Sequence, residues 1–180
     1  GIMLRADCRI SDTDTAGDVH DRLMGMGAGL VVETVEGLIQ GTIEQRVQRS
    51  FIQGSEVLKP APKLTRELCH IDWNDTTKHI YNLVRGLSPY PTAFTEIVPI
   101  DNPDGTTAPL QLKIFSAEKM TFAEAGASAQ PAAGTVLSDG KTFLGIATAD
   151  GVLSIKDLQL AGKKRMDVKS FLLGFRNLCL

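Results

Sequence analysis

A chain of 180 residues that is 43% hydrophobic and 22% charged can bury one sizeable core or two small ones, which excludes an intrinsically disordered protein. Its apolar runs, such as Gly29 to Val32, are far shorter than the ~20 residues of a membrane span. The first residues lack the basic, apolar and small-residue succession of a signal peptide, so a cytoplasmic location away from the membrane is expected. The net charge of −2 is unevenly spread: residues 1–50 sum to −3, residues 51–118 to −2 and residues 119–180 to +3. A positive final third suits a polyanionic partner, although phosphate binding needs clustered charge rather than a surplus. Cys8, Cys69 and Cys179 are odd in number and widely spaced, which predicts free thiols and no thiolate metal site.

In chain order, Ile2-Met3-Leu4 and the segment through Cys8 and Ile10 read as a strand entered partway through its domain. The group Ser11-Asp12-Thr13-Asp14-Thr15 supplies side chains that accept hydrogen bonds from the unpaired N–H groups of a helix start, and Asp18 completes a weak capping box with Thr15. The helix that follows carries Ala16, Val19, Leu23, Met26, Leu30, Val35 and Leu38 along one stripe and ends near Gly37 or Gly41. Too few strands precede it to form the sheet that this face would cover, so residues 1–51 are expected to be the end of a larger domain. Gly25-Met26-Gly27-Ala28-Gly29 lies inside the helical pattern with no strand leading in, and predicts close helix packing rather than a dinucleotide loop.

Gly, Ser and two prolines between Ile52 and Thr65 predict an extended linker over 52–65. A helix is predicted over 75–87, capped by Asn74 or Asp75, with Ile80, Leu83, Val84 and Leu87 buried and Ser88-Pro89-Tyr90-Pro91 as its stop. The periodicity then changes. Strands are predicted over 93–98, 110–117, 134–137, 142–147 and 152–160, with turns at Asn102-Pro103-Asp104-Gly105, Asp139-Gly140 and Asp150-Gly151. Five short strands suggest a small barrel of the OB type, and a helix over 166–175, capped at Asp167, closes the chain.

Two stretches carry a resemblance. They are Pro60-Ala61-Pro62-Lys63-Leu64-Thr65-Arg66-Glu67 with Ile71-Asp72-Trp73, and Ile80-Tyr81-Asn82-Leu83-Val84-Arg85-Gly86-Leu87-Ser88-Pro89-Tyr90-Pro91. Both are similar to the linker and first C-terminal-domain helix of methionyl-tRNA formyltransferases. The Asp14 to Leu23 segment, Leu112-Lys113-Ile114-Phe115, Ala147-Thr148-Ala149-Asp150-Gly151 and the Leu158 to Met166 segment agree in order and spacing. The resemblance implies an α+β chain: residues 1–51 as a Rossmann-like remnant of the catalytic domain (one strand and a long helix), then 66–180 as an OB-like, tRNA-binding β-barrel.

The family transfers a formyl group from formyl-tetrahydrofolate to the amino group of methionine on initiator tRNA. A base frees the amine and hydrogen-bond donors hold the oxyanion as the formyl carbon becomes tetrahedral. The family does this with an Asn, a His and an Asp in its N-terminal domain, and none of the three matches a position here. The chain alone is therefore expected to be inactive, with no catalytic residue, no metal and no cofactor of its own, formyl-tetrahydrofolate being co-substrate of the whole enzyme. The carry-over is contact with initiator methionyl-tRNA by a monomer. The basic groups on matching segments are Lys59, Lys63 and Arg66, then Lys163, Lys164, Arg165 and Lys169, acting on phosphates without reading bases.

Other signals are weaker. His20, His70 and His79 lack the short spacing of metal ligands. Trp73 is read as a core anchor in preference to a base-stacking platform. Tyr90 fixes a turn and offers a hydroxyl, and Ala123–Ala133 reads as a mobile loop. Two other functions fit less well: a related formyltransferase or formyl-tetrahydrofolate hydrolase acting on a small molecule, and a stand-alone RNA-binding module.

Overall fold

The computed structural model describes residues 1–52, 54, 57–99, 108–175 and 178–179. The predicted Asn102–Gly105 turn lies outside them. The chain divides into two compact units, Gly1–Lys63 and Leu64–Leu180.

In the first unit, α1 spans Ala16–Gln40. Thr15 and Asp18 form the reciprocal capping box, each side chain accepting the other's backbone N–H, at 3.2 and 2.8 Å. Gly41, at φ 68°, ends the helix in the left-handed conformation that glycine adopts without a Cβ clash. Arg22 pairs with Asp14, just ahead of the cap.

Two expectations for this unit need correction. The opening strand shrinks to one antiparallel bridge between Ile2 and Arg46, because no second described segment offers its N–H and C=O groups to the rest of 3–10. The described residues thus give the unit α1, a short 3-10 helix at Gln48–Phe51 and a bridge, and the Rossmann-like remnant is not displayed. Gly25, Gly27 and Gly29 have nothing within 4 Å of where a side chain would begin, so they do not mark close helix packing within the unit. Of the apolar stripe of α1, Leu23, Val35 and Leu38 are about half exposed, while Ala16, Val19, Met26 and Leu30 are partly buried.

The second unit begins with α2 (Arg66–Cys69) and α3 (Thr77–Leu87), followed by strands β1 (Ala93–Pro99), β2 (Leu110–Met120), β3 (Val136–Ser138), β4 (Leu144–Ala147), β5 (Val152–Leu160) and β6 (Met166–Asp167). Helix α4 (Val168–Gly174) and strand β7 (Leu178–Cys179) complete it. All sheet pairings are antiparallel, in the order β3-β4-β5-β2-β1-β7, with β6 also on β5. Register shifts between Ile114 and Ala117 mark a bulge in β2, and a bulge bends its strand and raises the local twist. The result is a curled half-barrel. Among the described residues β3 and β7 end the main strand path, so the small barrel expected is seen as an open half-barrel.

The core fills the concave side. Leu112 and Ile114 of β2, Ile155 and Leu158 of β5 and Ile97 of β1 are at most 1% exposed, and Ile80, Val84 and Leu87 of α3 are buried in the same cluster. Trp73 belongs to it as well: its ring is buried and its Nε1–H donates to Thr95 Oγ1 at 3.1 Å, which satisfies the one polar atom of the indole. Such a ring is not available as a platform for a base.

Helix α3 starts two residues later than predicted. Thr76 is the cap, accepting the His79 N–H, while Asp75 is engaged by the Thr76 N–H and by His79 Nδ1. Asp167 caps α4, accepting the Ser170 N–H at 2.8 Å, but Met166 lies in β6 rather than in the helix, since the ladder pairs it with Leu158. In and beside the segment 123–133, Thr121 and Glu124 bond reciprocally, and the Gln130 amide donates to the Ala149 carbonyl at 3.0 Å. Cys8 and Cys69 are free thiols.

Candidate nucleic-acid interface

Side chains of β2 alternate across the sheet. Leu112 and Ile114 point into the core, so Gln111, Lys113 and Phe115 stand on the convex side. The register places Lys113 opposite Phe94 of β1 on one flank and opposite Gln159 of β5 on the other. These three residues make a row running across the strands.

Arg66 enters this row from α2. Thr65 caps that short helix by accepting the Leu68 N–H at 3.4 Å, and the Arg66 guanidinium lies 5.4 Å from the centre of the Phe94 ring. His70 meets the same ring edge-on at 5.2 Å, which leaves Phe94 6% exposed. At the other end of the row the chain turns between β5 and β6. Gly162 holds φ 76°, the Lys163 N–H donates to the Leu160 carbonyl at 2.9 Å, and the Gln159 amide donates to the Lys163 carbonyl at 3.0 Å. Lys163 and Lys164 project from this turn and are exposed.

Three adjoining depressions follow the row. One of about 320 Å³ is lined by Arg66, Thr92, Phe94, Gln111 and Lys113. A second, of about 210 Å³, shares Gln111 and Lys113 and continues past Gln159 to Gly162. A third, of about 370 Å³, shares Arg66 and Phe94 and reaches Glu67, His70 and Glu96. Hydrogen bonds from its own backbone N–H and then from the Thr65 side chain keep the Glu67 carboxylate below its usual pKa, so it faces this last end as an anion beside Arg66.

The expected contact residues are therefore of unequal standing. Arg66, Lys113, Lys163, Lys164 and Lys169 have no carboxylate within ion-pair distance among the described residues. Arg165 is different: its Nε donates to Asp157 Oδ2 at 2.7 Å, a second guanidinium nitrogen reaches the same oxygen, and the group lies 4.3 Å over the Phe115 ring. Its charge is already neutralised. Lys169 sits on α4, off the row. Lys59 and Lys63 are exposed residues of the first unit.

Lys113, Gln111 and Gln159 were not singled out from sequence. Their signal is the alternation in Leu110-Gln-Leu-Lys-Ile-Phe, which puts the polar residues on one face, but nothing local says which strands flank it. The histidines find carboxylates, His20 with Asp21 at 3.1 Å and His79 with Asp75 at 3.0 Å, all of them solvent-exposed. Among the described residues no group of three or more His, Cys, Asp or Glu is placed to hold a metal ion.

The sequence profile of the family described as formyl transferase, C-terminal domain, matches residues 63–176. The chain belongs to this family. The matched stretch takes in Lys63, Arg66, Lys163, Lys164, Arg165 and Lys169, with Lys59 outside it. The chain is 45% identical over 177 residues to the methionyl-tRNA formyltransferase of Parabacteroides distasonis, covering 98% of the chain and 52% of that protein. It is 44% identical over 175 residues to that of Phocaeicola vulgatus, covering 97% and 51%. The chain thus spans about half the length of the curated relatives it matches. A crystal structure of a HypX variant from Aquifex aeolicus superimposes with a TM-score of 0.58 at 18% identity, over 91% of this chain and 26% of that one, a likeness of fold alone.

Proposed function

We propose that this chain is the tRNA-holding portion of a methionyl-tRNA formyltransferase. The observation that carries the reading is the 45% identity to such an enzyme over 98% of the chain. In this reading residues 1–51 are the end of the catalytic domain, 52–65 the linker and 66–180 the domain that grips initiator methionyl-tRNA. The whole enzyme, a cytoplasmic monomer, moves a formyl group from formyl-tetrahydrofolate to the methionyl amine. The amine attacks the formyl carbon, a base takes its proton, and the folate nitrogen leaves. The family resemblance gives that chemistry to an Asn, a His and an Asp that match no position here, so in this reading the 180 residues contribute grip and positioning rather than catalysis.

The test is binding of initiator tRNA to the 180-residue chain, followed by fluorescence anisotropy as salt is varied. Four phosphate contacts on duplex RNA give a slope of log affinity against log salt of about −3.6, or roughly a hundredfold loss between 50 and 200 mM salt. Absent or salt-independent binding would overturn the reading.

A further inference from the structure

We infer that the cross-strand trough from Arg66 through Lys113 to the Lys163–Lys164 turn is a track for the phosphate backbone of duplex RNA, with Lys113 as its central contact. The inference rests on the tRNA-holding reading and goes beyond it by naming the surface, a residue and the form of RNA it takes.

Three observations support it. The first is continuity: the depression lined by Arg66 and Lys113 runs directly into the one that ends at Gly162. Arg66 and Lys113 line it, and Lys163 and Lys164 follow Gly162 in the turn at its end. The second is charge. Lys113, Lys163 and Lys164 have no described carboxylate within ion-pair distance, so an incoming phosphate meets their charge in full, while Arg66, also outside ion-pair distance of a carboxylate, is partly offset by the neighbouring Glu67. Lys113 is half-buried between Phe94 and Gln159, which restricts its stem before binding and lowers the ordering cost of presenting the ammonium. The amides of Gln111 and Gln159 line the same floor and can donate to phosphate or ribose oxygens.

The third observation selects duplex over single strand. Binding of unpaired RNA relies on exposed aromatic faces on which bases stack. The two phenyl rings on this face are already covered, Phe94 by Arg66 and His70 and Phe115 by Arg165, and they are 6% and 9% exposed. The exposed ring of His70 stands at the Glu67–Glu96 end, so from Arg66 to Gly162 the surface offers cations and amides, which hold a backbone. Glu67 and Glu96 mark where the track stops, since two carboxylates at that end repel phosphates within a Debye length of about 8–10 Å.

The experiment compares the 180-residue chain with Lys113→Gln, Arg66→Gln and the double variant, titrating salt against initiator tRNA, a plain RNA hairpin duplex and an unpaired oligonucleotide. Lys141→Gln, in the β3–β4 turn at the opposite edge of the sheet, is the control. Each single substitution should reduce the magnitude of the duplex salt slope by about 0.9, the double by about 1.8, with Lys141→Gln unchanged. Far-UV circular dichroism and melting temperature confirm that each variant is folded; a misfolded Lys113→Gln is replaced by Lys113→Met, which keeps the stem. If the parent chain binds with the expected slope and the trough variants leave that slope intact, the inference fails and the tRNA reading stands. If the parent chain does not bind, both fail. Variant effects confined to the unpaired oligonucleotide would overturn the duplex assignment.

Discussion

Thr77 and Asp150, 73 positions apart, are joined by two hydrogen bonds: Asp150 Oδ1 accepts the Thr77 N–H at 2.7 Å and its hydroxyl at 2.8 Å. The Thr77 hydroxyl also lies 2.6 Å from that of Thr148, which in turn bonds the Gly151 backbone. This network, with Thr77 and Thr148 buried and Asp150 at the surface, pins the start of α3 to the β4–β5 turn. Gly151 is required there, because a Cβ would stand 2.7 Å from the Met120 carbonyl oxygen and 2.8 Å from Thr77 Oγ1. Helix α3 covers the concave side of the sheet, so the network helps to fix the half-barrel whose outer side carries the trough.

Asp150→Ala should cost about 2 kcal/mol by urea unfolding, the range for hydrogen bonds to a charged group. The Thr77 hydrogen bonds, backbone N–H first, hold the Asp150 pKa below its ordinary value. A carboxylate with a depressed folded-state pKa contributes stability that is present above its unfolded pKa and lost as pH falls through the folded one. Chemical denaturation midpoints of the parent chain should therefore fall as pH drops below about 4, and Asp150→Asn should flatten that fall. A parallel decline in both proteins would show that the network is not its source.

Helix α1 should lose helicity over a similar window for a separate reason. The Ser11 N–H and the Arg22 guanidinium lower the Asp14 pKa from 3.8 to about 2. Its support for the start of the helix is complete above 3.8 and disappears as pH falls through about 2. Thr15→Ala should weaken the same start by about 0.5–2 kcal/mol at neutral pH. Amide hydrogen exchange at residues 16–19 reads both effects, and unchanged protection in Thr15→Ala would count against the cap.

Trp73→Ala should destabilise the second unit by about 3–5 kcal/mol, the usual cost of emptying a large aromatic site. Trp73→Phe should cost less, mainly the lost bond to Thr95. Differential scanning calorimetry separates the two. Equal melting temperatures for Phe and parent would mean that the indole N–H contributes nothing.

Arg165→Gln should alter RNA binding less than Lys164→Gln, although the two are neighbours and carry the same charge. Asp157 already neutralises Arg165, whereas Lys164 has no described carboxylate partner. Asp157→Asn should release the guanidinium and steepen the salt slope by up to about 0.9. A larger loss from Arg165→Gln than from Lys164→Gln in the anisotropy titration would contradict this ranking.

The local features of this chain are written in its residues. Thr15 with Asp18 makes a capping box wherever a helix follows, Asp167 caps because its carboxylate reaches the N–H three residues on, and the apolar alternation from Leu110 onward can be buried on only one side. These are contacts within about four residues, and short-range sterics and hydrogen bonding fix them. The choice of Thr76 over Asp75 as cap is also local, a competition in which His79 engages Asp75, whereas the choice of β6 over helix at Met166 is made by Leu158 on the neighbouring strand.

Strand order was out of reach for the same reason. That β2 lies between β1 and β5, so that Lys113 stands between Phe94 and Gln159 and within one depression of Arg66, follows from pairings across tens of residues. Many such pairings satisfy the same hydrophobic alternation, and only the packing of the whole core selects among them. Sequence alone determined α1, α3 and the five main strands in outline, the Thr15 and Asp167 caps and a surplus of positive charge near the end. The tertiary structure decided which of those charges share a surface and which are already neutralised, because both depend on distances between residues the chain order keeps apart.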